Sequence, residues 1–372
     1  MENKKIVLGM SGGVDSSVCA YLLKKNKYDV IGLFMQNWDT YVNYDFKGQV
    51  DKPDKQCNAQ KDFNDAKAVA DKLGIKIYRT EFINEYWNEV FTYLITEYKK
   101  GNTPNPDVLC NKFIKFDHFI KYAKNELNCE KIAMGHYANV KQIGNKFYLT
   151  KSVTEDKDQT YFLCWLNQEQ LSKVVFPIGN LNKDEVRKIA HEQGLINWNK
   201  KDSTGICFIG ERKFKDFLQN YIKVKEGNIV DILTKKKVGT HQGIMFYTYG
   251  QNKTLGLSGC ENKYFVCGKD IQKNILYVVD SIHREEYLSS TECEVEQFNW
   301  INDPNEWIGK TVQVRFRHRM PLINAEFKIV GDKVLLHHDK TLSVTPGQFA
   351  VLYYKEFCLG GGIVCKTNKK QF

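Results

Sequence analysis

The stretch KKIVLGMSGGVDSSVCAYLLK, residues 4 to 24, decides the fold. Ile6-Val7-Leu8 is a short apolar run and predicts a buried parallel strand. Gly9-Met10-Ser11-Gly12-Gly13 then leads into Val14-Asp15-Ser16-Ser17. Val18, Tyr21 and Leu22 follow at helical spacing. The pattern is strand, glycine turn, helix. Glycines let the backbone approach a ligand and adopt positive φ. The first turn of a helix offers unbonded N–H groups and the positive end of the dipole, which together bind phosphate. Hydroxyls of Ser11, Ser16 and Ser17 add donors.

The common phosphate loop G-x-x-x-x-G-K-[ST] does not fit, because no lysine follows these glycines. The segment instead resembles SGGxDS, the pyrophosphate-binding loop of ATP pyrophosphatases. That resemblance implies ATP held by Gly9, Met10, Ser11, Gly12, Gly13, Val14, Asp15 and Ser16.

Working outward, Asp29 to Trp38 predicts a second strand and residues 39 to 57 a long polar loop. Asn58 to Leu73 predicts a helix stopped by Gly74, Ile75 to Phe82 a third strand, and Glu85 to Lys100 another helix stopped by Gly101. Alternating strands and helices indicate a doubly wound parallel sheet, an α/β fold. In TPNPDVLCNKFIKF, residues 103 to 116, two prolines force an extended turn. Asp107 is placed to cap the next helix, which sets Cys110 in its first turn, where the dipole favours thiolate. A small buried core residue is the ordinary alternative for Cys110. KIAMGHY, 131 to 137, predicts a fourth strand ending in Gly135-His136. Ligands of open α/β sheets sit at the carboxyl ends of strands, so this pair should face the crevice of Ser11 to Ser17. Phe147 to Val153 is strand-like, and Leu181 to Gly194 is helical with Asn182 as cap. Cys207 lies in a short apolar stretch between Gly205 and Gly210, where the glycines suggest a loop that can move; a buried strand cysteine is the ordinary alternative, and these residues alone favour it.

From Phe214 the pattern changes to short strands around Ile229, Val238, Tyr264 and 275 to 279, separated by glycines. From Leu288 alternation dominates, which predicts a small barrel or sandwich. CLGGGIVC, 358 to 365, predicts a turn into a closing strand. The expected domains are residues 1–212, 213–284 and 285–372.

The chain has 372 residues and a formal net charge of +10, which fits an anionic partner such as nucleic acid. Of seven arginines, three are Arg315, Arg317 and Arg319 in RFRHR. Their clustering suggests phosphate or base contact; one solvent face of a strand would read the same way. Eleven cysteines in a chain of this length do not form a small disulfide framework and are expected to be reduced. No apolar run is long enough for a bilayer, and MENKK lacks the apolar core of a signal peptide, so a cytoplasmic, membrane-free protein is expected. No zinc spacing stands out.

GMSGGVDSS, GLFMQNW, TPNPDVLCN, MGHY, KDQTYFL, DSTGICFIGER, TPGQFAV and CLGGGI together resemble the bacterial tRNA-specific 2-thiouridylase family, across nearly the whole chain. The resemblance implies an N-terminal ATP pyrophosphatase domain of the adenine nucleotide alpha hydrolase type, a small middle domain and a C-terminal β-barrel. It implies ATP-dependent thiolation of the wobble uridine, position 34, by adenylation of the uracil C2 oxygen and sulfur transfer from a cysteine persulfide, with Mg²⁺. Met35 and Gly135 would line the nucleotide. Asn105, Pro106 and Asp107 would surround the target base. His136, Lys157, Asp158, Gln159, Arg315, Phe316 and Gln348 would contact tRNA at its anticodon stem-loop. Cys110 and Cys207 would be the catalytic pair, forming a transient disulfide, with Asp107 as acid–base and no protein-held metal. The sulfur donor would be a relay protein or cysteine desulfurase. An amidating synthetase of the same superfamily, a 4-thiouridine-type sulfurtransferase and a redox-sensing RNA-binding protein are the competing readings.

Overall fold

The computed structural model describes residues 4–47, 58–201, 214–257 and 263–370. Strand β1 (Lys5–Gly9) is central in a parallel sheet with β2 (Asp29–Gln36), β3 (Lys76–Glu81), β4 (Ile132–Ala133) and, further along, β7 (Val174–Val175). The order is β3-β2-β1-β4-β7. Side chains alternate across a strand. Val7 therefore enters one core, while Ile6 and Leu8 enter another on the opposite face. All three are fully buried, and each contributes about 1.5–3 kcal/mol by leaving water. Helices cover both faces, which explains why the strand reads as an unbroken apolar run. The order in which strands are added reverses between β1 and β4, so the crevice opens there, at the carboxyl ends.

Helix α1 (Val14–Lys25) follows the glycine turn, and α2 (Asn58–Leu73) follows β2. The expected helix from Glu85 starts earlier. Ile83–Tyr86, Trp87–Phe91 and Thr92–Lys99 run on as one helix whose middle is π-helical. The next helix is similar: Pro106–Leu109, a π-helical Cys110–His118, then Phe119–Leu127. The wide turns loosen carbonyls, and Gln170 Nε2 donates to two of them, Lys112 O at 3.2 Å and Phe116 O at 2.8 Å. The fourth strand is shorter than 131 to 137 suggests. Only Ile132–Ala133 is in the ladder, and Gly135-His136 lies beyond its end.

Residues 138–151 form a hairpin, β5 (Ala138–Ile143) and β6 (Lys146–Lys151), that leaves the parallel sheet. It pairs through β6 with the last strand of the chain. The middle part is a four-stranded sheet of β8 (Gly227–Asp231), β9 (Lys237–His241), β10 (Tyr264–Asp270) and β11 (Ile275–Asp280). β12 (Ser289–Trp300), β13 (Val312–Arg315), β14 (Ile323–Val330), β15 (Lys333–Leu342), β16 (Phe349–Tyr354) and β17 (Phe357–Thr367) follow. They pair as β12-β15-β14-β13-β16-β17, and β17 returns to β12, closing a barrel. The GGG segment is no turn: it lies inside β17. A Cβ on Gly360 would fall 1.9 Å from Asn299 O, at φ +131, so glycine lets the closing strand press against β12. Among the described residues no helix is long and apolar enough to cross a membrane.

Candidate active site at the carboxyl edge of the parallel sheet

Gly13 precedes α1 in extended conformation, and no side chain caps the helix. The first-turn N–H groups thus face the crevice, as a phosphate site needs. Ser16 Oγ donates to Gly13 O at 3.0 Å and accepts from Ser11 N at 3.2 Å, which fixes the turn. Gly12 has φ +74, and a Cβ there would lie 2.2 Å from Asp62 O of α2. Glycine is required both for the turn and for the closeness of α2. Gly135, beyond β4, comes so near the loop that its Cβ would stand 3.3 Å from Ser16 N. Met35 sits near the end of β2, on the same edge.

The positive charge absent from the loop's own sequence arrives from elsewhere. Lys183 Nζ and Tyr137 Oη donate to Asp15 Oδ1 at 2.7 and 2.9 Å. Lys200 Nζ reaches Gly12 O at 3.2 Å, Asp62 at 2.8 Å and Asp65 at 2.6 Å. Burial alone would lower the Lys200 pKa, but its two carboxylate partners outweigh that and raise it. It is a fixed cation beside the loop. Asn197 Nδ2 donates to Gly12 O and Ser17 Oγ, each at 2.9 Å. Sequence reasoning missed all four of these residues. Only Lys183 carried a local signal, since it follows Asn182, the capping residue of the helix Lys183–Glu192.

The segment ahead of Cys110 differs from expectation. Asn105, not Asp107, is the helix cap: its side chain accepts from Asp107 N at 3.1 Å, with Pro106 at the first helical position. Cys110 is therefore the fifth helical residue. Its amide already donates to the carbonyls of Pro106 and Asp107, so the first-turn dipole argument does not apply to it. Its side chain is buried in the main core. Asp107 is half-buried, and burial raises its pKa above the usual carboxylate range against an opposing pull from Lys115. A carboxyl so tuned suits proton transfer. His136 packs against Phe116 and Phe176, with ring centres at 5.7 and 5.8 Å. Burial, helped by Lys115, holds it well below the ordinary imidazole range, and its Nδ1 is a buried atom with no hydrogen-bond partner among the described residues. Cys207 lies outside the described residues.

The residues expected at tRNA fall into two groups. Gln348 Nε2 donates to Thr103 O at 2.6 Å, tying the barrel to the segment that leads to Cys110. Lys157 and Gln159 are half-buried, and Gln159 Oε1 accepts from Tyr137 N at 2.9 Å. Asp158, Arg315 and Phe316, by contrast, are buried. Arg315 reaches the buried Asp158 at 3.4 Å and the exposed Glu155 at 3.3 Å. RFRHR is thus not one solvent face. β13 ends at Arg315. Arg317 Nη2 then bonds Tyr249 O, Ser343 O and Thr345 Oγ1 at 3.2, 3.3 and 2.6 Å, and Arg319 is exposed in a turn at φ 68.

The chain matches family models described as a tRNA methyl transferase HUP domain over residues 4–211, a tRNA methyl transferase PRC-barrel domain over 215–280 and an aminomethyltransferase beta-barrel domain over 290–364. Among curated relatives, the tRNA-specific 2-thiouridylase MnmA of Ureaplasma parvum is 54% identical over 368 residues, covering 98% of this chain and 95% of the relative. Its namesake from Malacoplasma penetrans is 52% identical over 364 residues, 96% of this chain and 98% of the relative. That from Mycoplasma mycoides is 50% identical over 378 aligned residues, 98% of this chain and the relative's full length. With half of its residues shared along nearly its whole length, the chain belongs to the tRNA-specific 2-thiouridylase family.

Proposed function

We propose that the protein thiolates C2 of the wobble uridine, position 34, of tRNA at the expense of ATP. One observation carries this reading. Beyond β4, Gly135 touches the phosphate loop at Ser16 while the adjacent His136 touches Phe116, in the π-helical stretch that begins at Cys110. This proximity supports a reading in which the nucleotide and the sulfur chemistry use one crevice. The residues fit ATP: a glycine cradle that a Cβ would fill, uncapped helix N–H groups, and Lys183 and Lys200 beside them. ATP, when bound, supplies the adenylyl group that turns the uracil O2 into a leaving group, with loss of pyrophosphate. Among the described residues no cluster of three metal-ligating side chains exists. Mg²⁺ would be held through the phosphates and would neutralise their charge.

Within this frame Gly9 to Ser16 orient the phosphates. Asn105, Pro106 and Asp107 border the base, and the raised pKa of Asp107 lets it hold or release a proton there. A persulfide on Cys207, loaded by a relay protein or desulfurase, attacks C2, and AMP departs with the oxygen. Cys110 then attacks Cys207 sulfur, releasing thiouridine and leaving a Cys110–Cys207 disulfide for an external reductant. Alternatively, Cys110 attacks the persulfide first and frees sulfide as the nucleophile. Methyl transfer, the wording of two family models, would need neither a pyrophosphate loop nor these cysteines. The anticodon loop must release its stacked base into the crevice, and the basic chain suits that partner.

The test is mass spectrometry of tRNA after incubation with ATP, Mg²⁺ and a persulfide donor. Sulfur at C2 of the wobble uridine is the expected result. Cys207→Ser should release pyrophosphate with tRNA yet transfer no sulfur. Cys110→Ser should accept persulfide on Cys207 but stall. Sulfur at C4, or tRNA-independent pyrophosphate release with ammonia as acceptor, would replace this reading.

A further inference from the structure

The two lysines that reach the phosphate loop are already paired. Lys183 meets Asp15, and Lys200 meets Asp62 and Asp65. A third lysine belongs to the other wall of the crevice. Lys115 is half-buried in the π-helical stretch Cys110–His118. Among the described residues it makes no hydrogen bond and no ion pair. A cation partly withdrawn from water normally has a counter-charge at contact, so this one calls for an explanation.

The fold sets Lys115 toward the reacting centre. A π-helix closes its ladder between residues five apart, so Lys115 stands one wide turn beyond Cys110. The next residue, Phe116, packs on His136 with ring centres 5.7 Å apart, and Gly135 approaches Ser16 of the phosphate loop. The charge of Lys115 acts on groups from two separate elements. Burial raises the Asp107 pKa and Lys115 opposes it; burial lowers the His136 pKa and Lys115 adds to the fall. The ammonium is therefore near both the start of the cysteine helix and the end of β4. Lys112, on the same helix, responds to Asp117 instead.

We propose that Lys115 is a catalytic residue whose ammonium holds the α-phosphate, the one that joins the uracil O2; the proposal rests on the ATP-dependent thiolation reading above. Position selects this phosphate from the three. Lys183 and Lys200 stand at the glycine loop, where the β- and γ-phosphates leave together as pyrophosphate. The phosphate bonded to the base must reach toward Asp107 and Cys110, and Lys115 is on that wall. Its charge suits both steps. In adenylation a bond forms from the uracil O2 to the α-phosphorus and the bond to pyrophosphate breaks. In sulfur transfer the C2–O2 bond breaks, its electron pair leaves with AMP, and the phosphate gains a second negative charge. An ammonium placed there beforehand stabilises that charge without reorganisation. Lysine binds phosphate as a point charge, so no bidentate geometry is needed.

The experiment measures binding to the full-length protein by calorimetry, with adenosine, AMP and pyrophosphate as probes. Wild-type protein should bind AMP more tightly than adenosine. Lys115→Gln should weaken AMP about tenfold, the scale of one charge-assisted contact, and leave adenosine and pyrophosphate within about twofold. Lys115→Met keeps the packing of the stem, should behave the same way and serves if the glutamine variant folds poorly. Lys115→Arg keeps the charge and should restore most of the AMP affinity. In turnover, Lys115→Gln should lower kcat for tRNA-dependent AMP release about a hundredfold with tRNA affinity unchanged. An AMP affinity unchanged in both neutral variants, or a loss shared equally by adenosine, overturns the proposal; the lysine then only covers the core with its stem. If wild type binds AMP and makes thiouridine while that result holds, only the Lys115 assignment fails. If wild type binds neither AMP nor pyrophosphate and releases no pyrophosphate with ATP and tRNA, the ATP reading fails as well.

Discussion

Replacing Arg315 with alanine should unfold the protein more readily without altering how its RNA binding responds to salt. The Arg315 side chain is 2% exposed and its partner Asp158 is fully buried. Truncation leaves the Asp158 carboxylate with donors from Ser152 N, Thr160 N and Thr160 Oγ1 but no cation at that contact. Removing one member of a buried pair costs about 3–5 kcal/mol. The second arm, to Glu155, adds little because that side chain is 70% exposed. At about 2–4 °C per kcal/mol for a cooperative unit of 150–250 residues, the midpoint should fall by about 6–20 °C. The effect should also depend on pH. Burial raises the Asp158 pKa, and Arg315 is among the groups that pull it back. Without Arg315 it rises further above its unfolded value. A carboxyl raised in the folded state stabilises most below its unfolded pKa and loses that contribution as pH climbs through the folded one. The midpoint deficit of Arg315→Ala should therefore widen from acid toward neutral pH. Thermal denaturation across that range, with RNA binding measured over a salt series, checks both points. Loss of a direct phosphate contact would instead lower the log–log salt slope by about 0.7–0.9. An unshifted midpoint with a reduced slope would refute the buried-pair argument.

Other outcomes can be stated from the same structure. Gly12→Ala puts a side chain on Asp62 O and on a positive φ; strain of about 1–3 kcal/mol and loss of nucleotide binding are expected in calorimetry with ATP. Asn105→Ala removes the cap ahead of Cys110 and should cost about 1 kcal/mol in urea unfolding, with slower thiolation from a loosened helix start. His318 has its folded pKa near 4, below the unfolded value of about 6.5. Its stabilising contribution is present above that unfolded value and is lost as pH falls toward 4, so His318→Gln should flatten the fall of the thermal midpoint across this window.

The elements that were legible are local ones. The Ile6-Val7-Leu8 run, the glycine turn and α1 follow one another without a break, so one sequence window contains the whole unit. The bounds Asn58–Leu73 came from periodicity and a terminal glycine. The cap before Cys110 was decidable as well: proline favours the first helical position, which makes Asn105 the cap and moves Cys110 out of the first turn. Neither π-helical stretch could be read, because an occasional wide turn hardly disturbs a 3.6-residue period. The cations of the phosphate site were invisible for a different reason. Lys183 and Lys200 lie more than 160 residues from Asp15 and Gly12 in sequence, and only the packing of the chain's later segments against α1 and α2 brings them to the loop.

RFRHR shows what a charge cluster leaves undetermined. Alternation predicts a shared face only while a strand continues, and β13 ends at Arg315. Beyond it the chain turns, so Arg317 and Arg319 go to a domain junction and to solvent. A guanidinium suits carboxylate as well as phosphate. Which one it meets depends on what the fold sets opposite it. Here that is Asp158, in the Lys157-Asp158-Gln159 segment also expected at the RNA, so two groups assigned to one partner are partners of each other.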